Sequence, residues 1–159
     1  IYTIYLVDMD DAVNALTAGG KIFISKKMYE FCSNDGELAC IIGHEISHNE
    51  LGHINNQINR TKTIQNFGLS DDISSLITST LYQPFNKKNE SHCDMLGIDL
   101  AISSGYDPCS SIQFWKRMKS DERELSQIEN ILSSHPYSNQ RINCSINHIK
   151  RNYNLSCVE

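Results

Sequence analysis

Residues 38–48 read Leu38-Ala39-Cys40-Ile41-Ile42-Gly43-His44-Glu45-Ile46-Ser47-His48. An apolar run leads into two histidines four positions apart, with a glutamate directly after the first. Ser33, Asn34 or Asp35 can cap a helix here, and Glu37 sits in the first turn, where the helix dipole favours a carboxylate. The pattern predicts a helix from about residue 35 to Leu51-Gly52. That helix is apolar on all sides and therefore buried. Buried histidines and glutamates need partners, and a metal ion serves all three at once. On a helix, residues i and i+4 share a face, so both imidazoles can converge on one zinc ion. Glu45 lies about 100° from His44 and about 60° from His48 around the wheel, which puts its carboxylate beside that ion. Zinc lowers the pKa of a bound water toward ~7, and an adjacent carboxylate completes its deprotonation. A charged surface helix is the plain alternative, and the apolar flanks oppose it.

A zinc site of this kind needs a third protein ligand. His53 is about 180° from His44 if the helix continues. Gly52 and His53 also come at the wrong spacing after His48 for the metzincin pattern, so His53 is expected to be a surface or packing residue. Glu90, in Asn89-Glu90-Ser91-His92-Cys93-Asp94, is the better candidate. Glu90 and Asp94 share one predicted helix face, so Glu90 can ligate while Asp94 accepts the outer N–H of a ligand histidine. His92 sits about 200° from Glu90 and should point away. A solvated acidic helix start is the bland reading of this second motif, which gains weight only from the first.

The whole chain has 159 residues, 14 Lys+Arg against 19 Asp+Glu, a net charge of −5, six Cys and six His. A chain of this length fits one domain, 1–159, able to bury roughly 68–70% of its unfolded surface without relying on disulfides. The acidic balance, with no basic block, argues against nucleic acid as a partner. No apolar stretch is long enough to span a membrane. Beginning at Ile1 rather than Met, the chain reads as a processed form or an excised domain, so membrane association would run through segments outside it. The cysteines, at 32, 40, 93, 109, 144 and 157, show no Cys-x-x-Cys spacing, and their pairing is not legible.

Around the central helix, residues 1–7 and Lys21–Ser25 read as strands, the second after the Gly19-Gly20 turn. Residues 57–85 are mixed and are expected to form a flap or cover. Further helices are predicted from about Lys88 to Ser104, from Ser110 to Leu132, and from Ser138 onward with Ile142, Ile146 and Ile149 on one face. Short strands followed by helices give an α+β fold, mainly helical. Lys21–Ser25 is expected to be a sheet edge open to an added peptide strand.

Four marks in order, Asn14-Ala15-Leu16-Thr17-Ala18-Gly19-Gly20-Lys21-Ile22-Phe23-Ile24, then His44 to His48, then Glu90 to Asp94, then Ser134-His135-Pro136 with Arg141-Ile142, resemble a known family. It is the HtpX-like, CAAX-prenyl-protease-like zinc metallopeptidases, family forty-eight, with small soluble catalytic domains called minigluzincins. The resemblance covers roughly residues 10 to 145. It implies a gluzincin fold and one Zn2+ held by His44, His48 and Glu90, with Glu45 as general base and Asp94 as outer partner. It also singles out His135 and Arg141 as catalytic candidates. Either side chain suits stabilisation of an oxyanion, or His135 takes the zinc's open position in a resting state. Leu16 and Ala18 replace a usual aromatic and a usual Pro, which bears on substrate preference, and Cys93 replaces a usual Ala. Cys93 and Cys40 read as core residues.

The implied activity is a zinc metalloendopeptidase acting on peptides or unfolded protein segments. A latent or non-proteolytic zinc-containing binding module is the alternative, and a disulfide framework without metal is a third. The resemblance favours the cell envelope, periplasm or secreted space over the cytoplasm.

Overall fold

The computed structural model of the chain describes residues 1–9, 12–65, 84–120, 131–132, 134–136 and 139–157. Three strands come first: β1 (Thr3–Val7), β2 (Ala15–Ala18) and β3 (Lys21–Ser25). The helices follow: α1 (Lys26–Phe31), α2 (Asp35–Glu50), α3 (His53–Gln65), α4 (Lys87–Ser103), α5 (Ser110–Ser120) and α6 (Asn139–Tyr153). The architecture is α+β and mainly helical, as the sequence predicts.

The sheet order is β1-β3-β2, with β1 parallel and β2 antiparallel to β3. Gly19 and Gly20 form the two-residue turn between β2 and β3, with φ of 55° and 77°. A hairpin turn with both central residues at positive φ matches the twist of its strands, and glycine adopts it without strain. The expectation that Lys21–Ser25 is an edge is therefore corrected. It is the middle strand, bonded on both sides, with Ile22 and Ile24 buried. β2, which the sequence does not announce, takes an edge instead.

Ser25 ends the sheet and caps α1, its hydroxyl accepting from Met28 N at 2.9 Å. Of the three cap candidates for α2, Asn34 accepts from Glu37 N at 3.0 Å. Asn86 does the same for α4, accepting from Asn89 N at 2.9 Å. One core joins the sheet to the helices through Val13, Ile22, Ile24, Met28, Ile41, Phe114 and Trp115, and a smaller one gathers Ile98, Ile112 and Ile149.

The contact that positions the site is the crossing of α2 and α4. A Cβ on Gly43 would lie 2.7 Å from the Gly97 carbonyl oxygen, and one on Gly97 would lie 2.7 Å from His44 N. The two backbones touch there, which only glycine on both sides permits. From that point Asp94 and Glu90 step back along α4 as His44 and His48 step forward along α2.

Cys109 and Cys157 form a disulfide, tying the chain just before α5 to the segment after α6. Cys32, Cys40, Cys93 and Cys144 are free, which corrects the disulfide-framework reading. Among the described residues, no helix is long and apolar enough to cross a membrane. Most of the expected flap, residues 66–83, and the expected continuation of α5 over 121–130 lie outside the described residues. The expected helix ends elsewhere agree with the structure to within a few residues, except that α1 is additional and α3 starts at His53.

Candidate metal centre

α2 turns its polar residues inward. His44, Glu45, Ser47 and His48 are all buried, while Leu38, Ile42 and Ile46 are only half-buried. This is the reverse of a simple amphipathic helix, and it holds because α4, α6 and residues 134–136 supply polar partners. One ligand atom from each of His44, His48, Glu90 and His135 falls within 4.8 Å of all the others. His44 Nε2 lies 3.0 Å from His48 Nε2 and 3.2 Å from His135 Nδ1. Glu90 Oε1 lies 3.2 Å from His48 Nε2, and Oε2 lies 3.2 Å from His135 Nδ1. A tetrahedral ion with ligands at about 2.0–2.1 Å separates them by about 3.3 Å, so the shell has the dimensions of a zinc site.

Two further observations fit a cation. Glu90 is 0% exposed, and its Oε1 has no hydrogen-bond partner despite the nearness of His48. A buried carboxylate oxygen of that kind is costly unless something positive meets it. Glu45, Glu90 and Asp94 are also three buried carboxyl groups facing a single buried guanidinium, Arg141. With the histidines neutral, as metal ligands must be, a divalent ion would balance that excess.

The rings acquire different electrostatics from their surroundings. Burial disfavours a charged His44, but Asp94 and Glu90 outweigh it and hold the ring up at about 10. Burial dominates at His48 and takes it down to about 3, so it is a neutral imidazole with a lone pair to give. At Glu90 the opposing effect of burial is overcome by His135 and by the rings of His44 and His48, which hold the carboxyl far below the ordinary range. Burial raises Glu45, with His135 and His44 acting against it.

Asp94 is where the sequence reading put it, with Oδ1 2.9 Å from His44 Nδ1. Arg141 stands behind it. Its Nε donates to Asp94 Oδ2 and its Nη2 to Asp94 Oδ1, both at 2.7 Å. Its Nη1 reaches Glu90 Oε2 at 2.8 Å and the Pro136 carbonyl at 3.1 Å. The guanidinium also lies 4.5 Å above the centre of the Trp115 ring. At 1% exposure it faces the carboxylates rather than an open cleft. His135 Nε2 is 3.5 Å from Glu45 Oε1, so this ring bridges the general-base candidate and the cluster. Beside Glu45 and His135 lies an apolar cavity lined by Ala15, Ile41, Phe114, Trp115 and Ile131.

His92 is exposed and outside the cluster, as expected. His53 is not. α2 ends at Glu50, Gly52 takes a φ of 69°, and α3 starts at His53 in a new direction. The wheel angle assumed a continuous helix, and the break returns His53 to a buried position 3.2 Å from His48 Nδ1. Leu51-Gly52 was a visible helix-stop signal, since glycine just past a helix end is the usual way to reverse the chain. Cys93 Sγ is 3.5 Å from His53 Nδ1. Phe85 packs on His48 with ring centres 3.8 Å apart, a contact that no local sequence signal announced.

The family model described as Peptidase family M48 matches residues 2–148. The chain is 28% identical over 133 residues to the mitochondrial metalloendopeptidase OMA1 of Schizosaccharomyces pombe, covering 78% of the chain and 40% of that protein. It is 24% identical over 159 residues to the beta-barrel assembly-enhancing protease of Yersinia pestis, covering 87% of the chain and 32% of that protein. The chain thus spans less than half the length of these relatives. A match over nearly all of its residues, joined to a buried His-Glu-x-x-His helix met by Glu90, places the chain in peptidase family M48.

Proposed function

We propose that the chain is the catalytic domain of a zinc-dependent endopeptidase that hydrolyses peptide bonds in extended or unfolded protein segments. The observation that carries this is the buried four-residue shell of His44, His48, Glu90 and His135, with Glu45 beside it. His44, His48 and Glu90 would hold the ion. When bound, zinc supplies a Lewis acid that makes a water acidic and polarises a carbonyl. Glu45, raised by burial, has the basicity to take a proton from the attacking water and later to give it to the leaving amine. Asp94 holds His44 by its outer nitrogen, and Arg141 acts through Asp94 and Glu90 rather than on substrate. The outer edge of β2, a strand lying against α2, suits an extended peptide added as a further strand. The Cys109–Cys157 disulfide supports an oxidising compartment such as the cell envelope or secreted space.

A second reading, a latent form, is favoured by His135. Its Nδ1 stands among the ligand atoms, where water would otherwise complete the shell.

Glu45→Gln tests the first reading, with zinc content and cleavage of an unfolded protein measured on one preparation. One equivalent of zinc should remain while cleavage falls about 10²–10⁴-fold. Undiminished cleavage would remove Glu45 from its role. Glu90→Ala should lose the zinc. His135→Ala separates the two readings, because cleavage rises if His135 blocks the open position and does not if it serves the reaction.

A further inference from the structure

We propose that His53 is a positioning residue for the metal site, fixing the proton and orientation of His48 from behind as Asp94 does for His44. This rests on the reading of His44, His48 and Glu90 as zinc ligands.

His48 is 0% exposed, so neither of its nitrogens faces bulk solvent. Its Nε2 faces the cluster, 3.0 Å from His44 Nε2 and 3.2 Å from Glu90 Oε1. A neutral imidazole has one N–H and one lone pair. If the Nε2 lone pair goes to a metal, the proton must sit on Nδ1 and point outward. A buried N–H left without an acceptor loses its hydration for nothing. The group at hand is His53 Nδ1, 3.2 Å away. His53 must therefore present its lone pair at Nδ1 and carry its own proton on Nε2. The pairing fixes two tautomers at once. Phe85 covers the face of the His48 ring and offers no acceptor in its plane. Cys93, 3.5 Å from His53 Nδ1, is a free thiol and a weak donor that shares the same lone pair.

The fold builds this contact deliberately in the sense that it takes a helix break to make it. Without Gly52 at φ 69°, the helix would carry position 53 away from His48. The outcome is a ligand histidine supported by a neutral imidazole on one side of the site and one supported by a carboxylate on the other.

The experiment compares His53→Asn with His53→Leu in the full chain, reading zinc retention by competition with a chromophoric chelator. Asn can place an amide oxygen near the position of the lost Nδ1, while Leu fills space without an acceptor. His53→Leu should weaken zinc binding about 10–100-fold, the range for outer partners of ligand histidines. His53→Asn should stay within about threefold of the native chain if its oxygen replaces the acceptor. At saturating zinc, KM should be unchanged in both. Equal loss in both variants, in step with lower stability of the metal-free protein, would reduce His53 to packing and overturn the proposal. Undiminished zinc retention in His53→Leu would overturn it too. Two equivalents of cobalt with a thiolate charge-transfer band abolished by Cys93→Ser would instead make His53 a ligand of a second ion, also overturning it. Failure of the native chain to bind zinc, with Glu90→Ala indistinguishable from it, would reject the underlying metal-site reading rather than His53 alone.

Discussion

The two histidines of α2 sit in one site but are held by different chemistry. His44 leans on an anion, Asp94, which is itself clasped by Arg141 on α6. His48 leans on His53, which a glycine-broken helix delivers and which has Cys93 beside it. The first arrangement buries charge and requires three elements to agree. The second buries neutral rings and requires only that α2 stop at the right residue. Orienting a buried imidazole is therefore achieved once by electrostatics and once by chain geometry. The two sides should fail in different ways.

The electrostatic side should fail hardest. Arg141→Met leaves Asp94 and Glu90 buried without their guanidinium, and removing one partner of such a network costs about 3–5 kcal/mol. Urea unfolding of the metal-free protein measures this. His53→Leu, which removes the partner of only one neutral ring nitrogen, should cost about 1–3 kcal/mol in the same assay. Equal losses would erase the distinction between the sides.

The helix crossing comes next, because it serves both sides through α4. Gly97→Ala puts a methyl 2.7 Å from His44 N, a backbone atom that cannot rotate away. Overpacking of this kind costs about 1–3 kcal/mol. It should also push Glu90 and Asp94 away from the rings together and weaken zinc. Because His53 lies on α3, its contact with His48 should survive. An unchanged zinc affinity in a folded Gly97→Ala protein would mean that α4 does not set the ligand distance.

Asp94→Asn acts directly on the ligand. It keeps a hydrogen-bond acceptor and removes the charge, so zinc binding should weaken about 10–100-fold. That loss should exceed the loss in His53→Asn, where no charge is removed. The reverse order would show that the neutral side matters more.

The legibility of the two sides from sequence differs in the same way. His44, Glu45 and His48 could be read because i and i+4 share a helix face whatever the rest of the fold does. Glu90 and Asp94 followed by the same rule, and they have the placement it suggested. His53 could not be read by a wheel, since its position depends on where α2 stops and how Gly52 turns. β2 is hard to read for a related reason. Four residues between Asn14 and two glycines carry little strand signal until their pairing with β3 is known. The roles of Arg141 and Phe85 come from packing between elements distant in sequence, and so does the Cys109–Cys157 bond. None of these has a local pattern.

The smallest effect is a single proton, and it separates the histidines most cleanly. In the metal-free protein His44 is raised from 6.5 to about 10, while His48 is lowered from 6.5 to about 3. For His44 the folded state keeps a proton that the unfolded chain has lost, so its contribution is full below about 6.5 and disappears as pH rises toward about 10. For His48 the sign is opposite: its contribution is full above about 6.5 and declines as pH falls toward about 3. The lowered carboxyls of Asp94 and Glu90 add to the acid-side loss. Metal-free stability should therefore pass through a maximum near neutrality. Zinc must displace the proton of His44 but finds His48 already neutral, so binding at pH 8 should release about one proton from this pair. Calorimetry in buffers of different ionisation enthalpy counts that proton, and Asp94→Asn should reduce the count by lowering the His44 ring toward its ordinary value. Release of two protons, or none, would mean that the two rings share one environment after all.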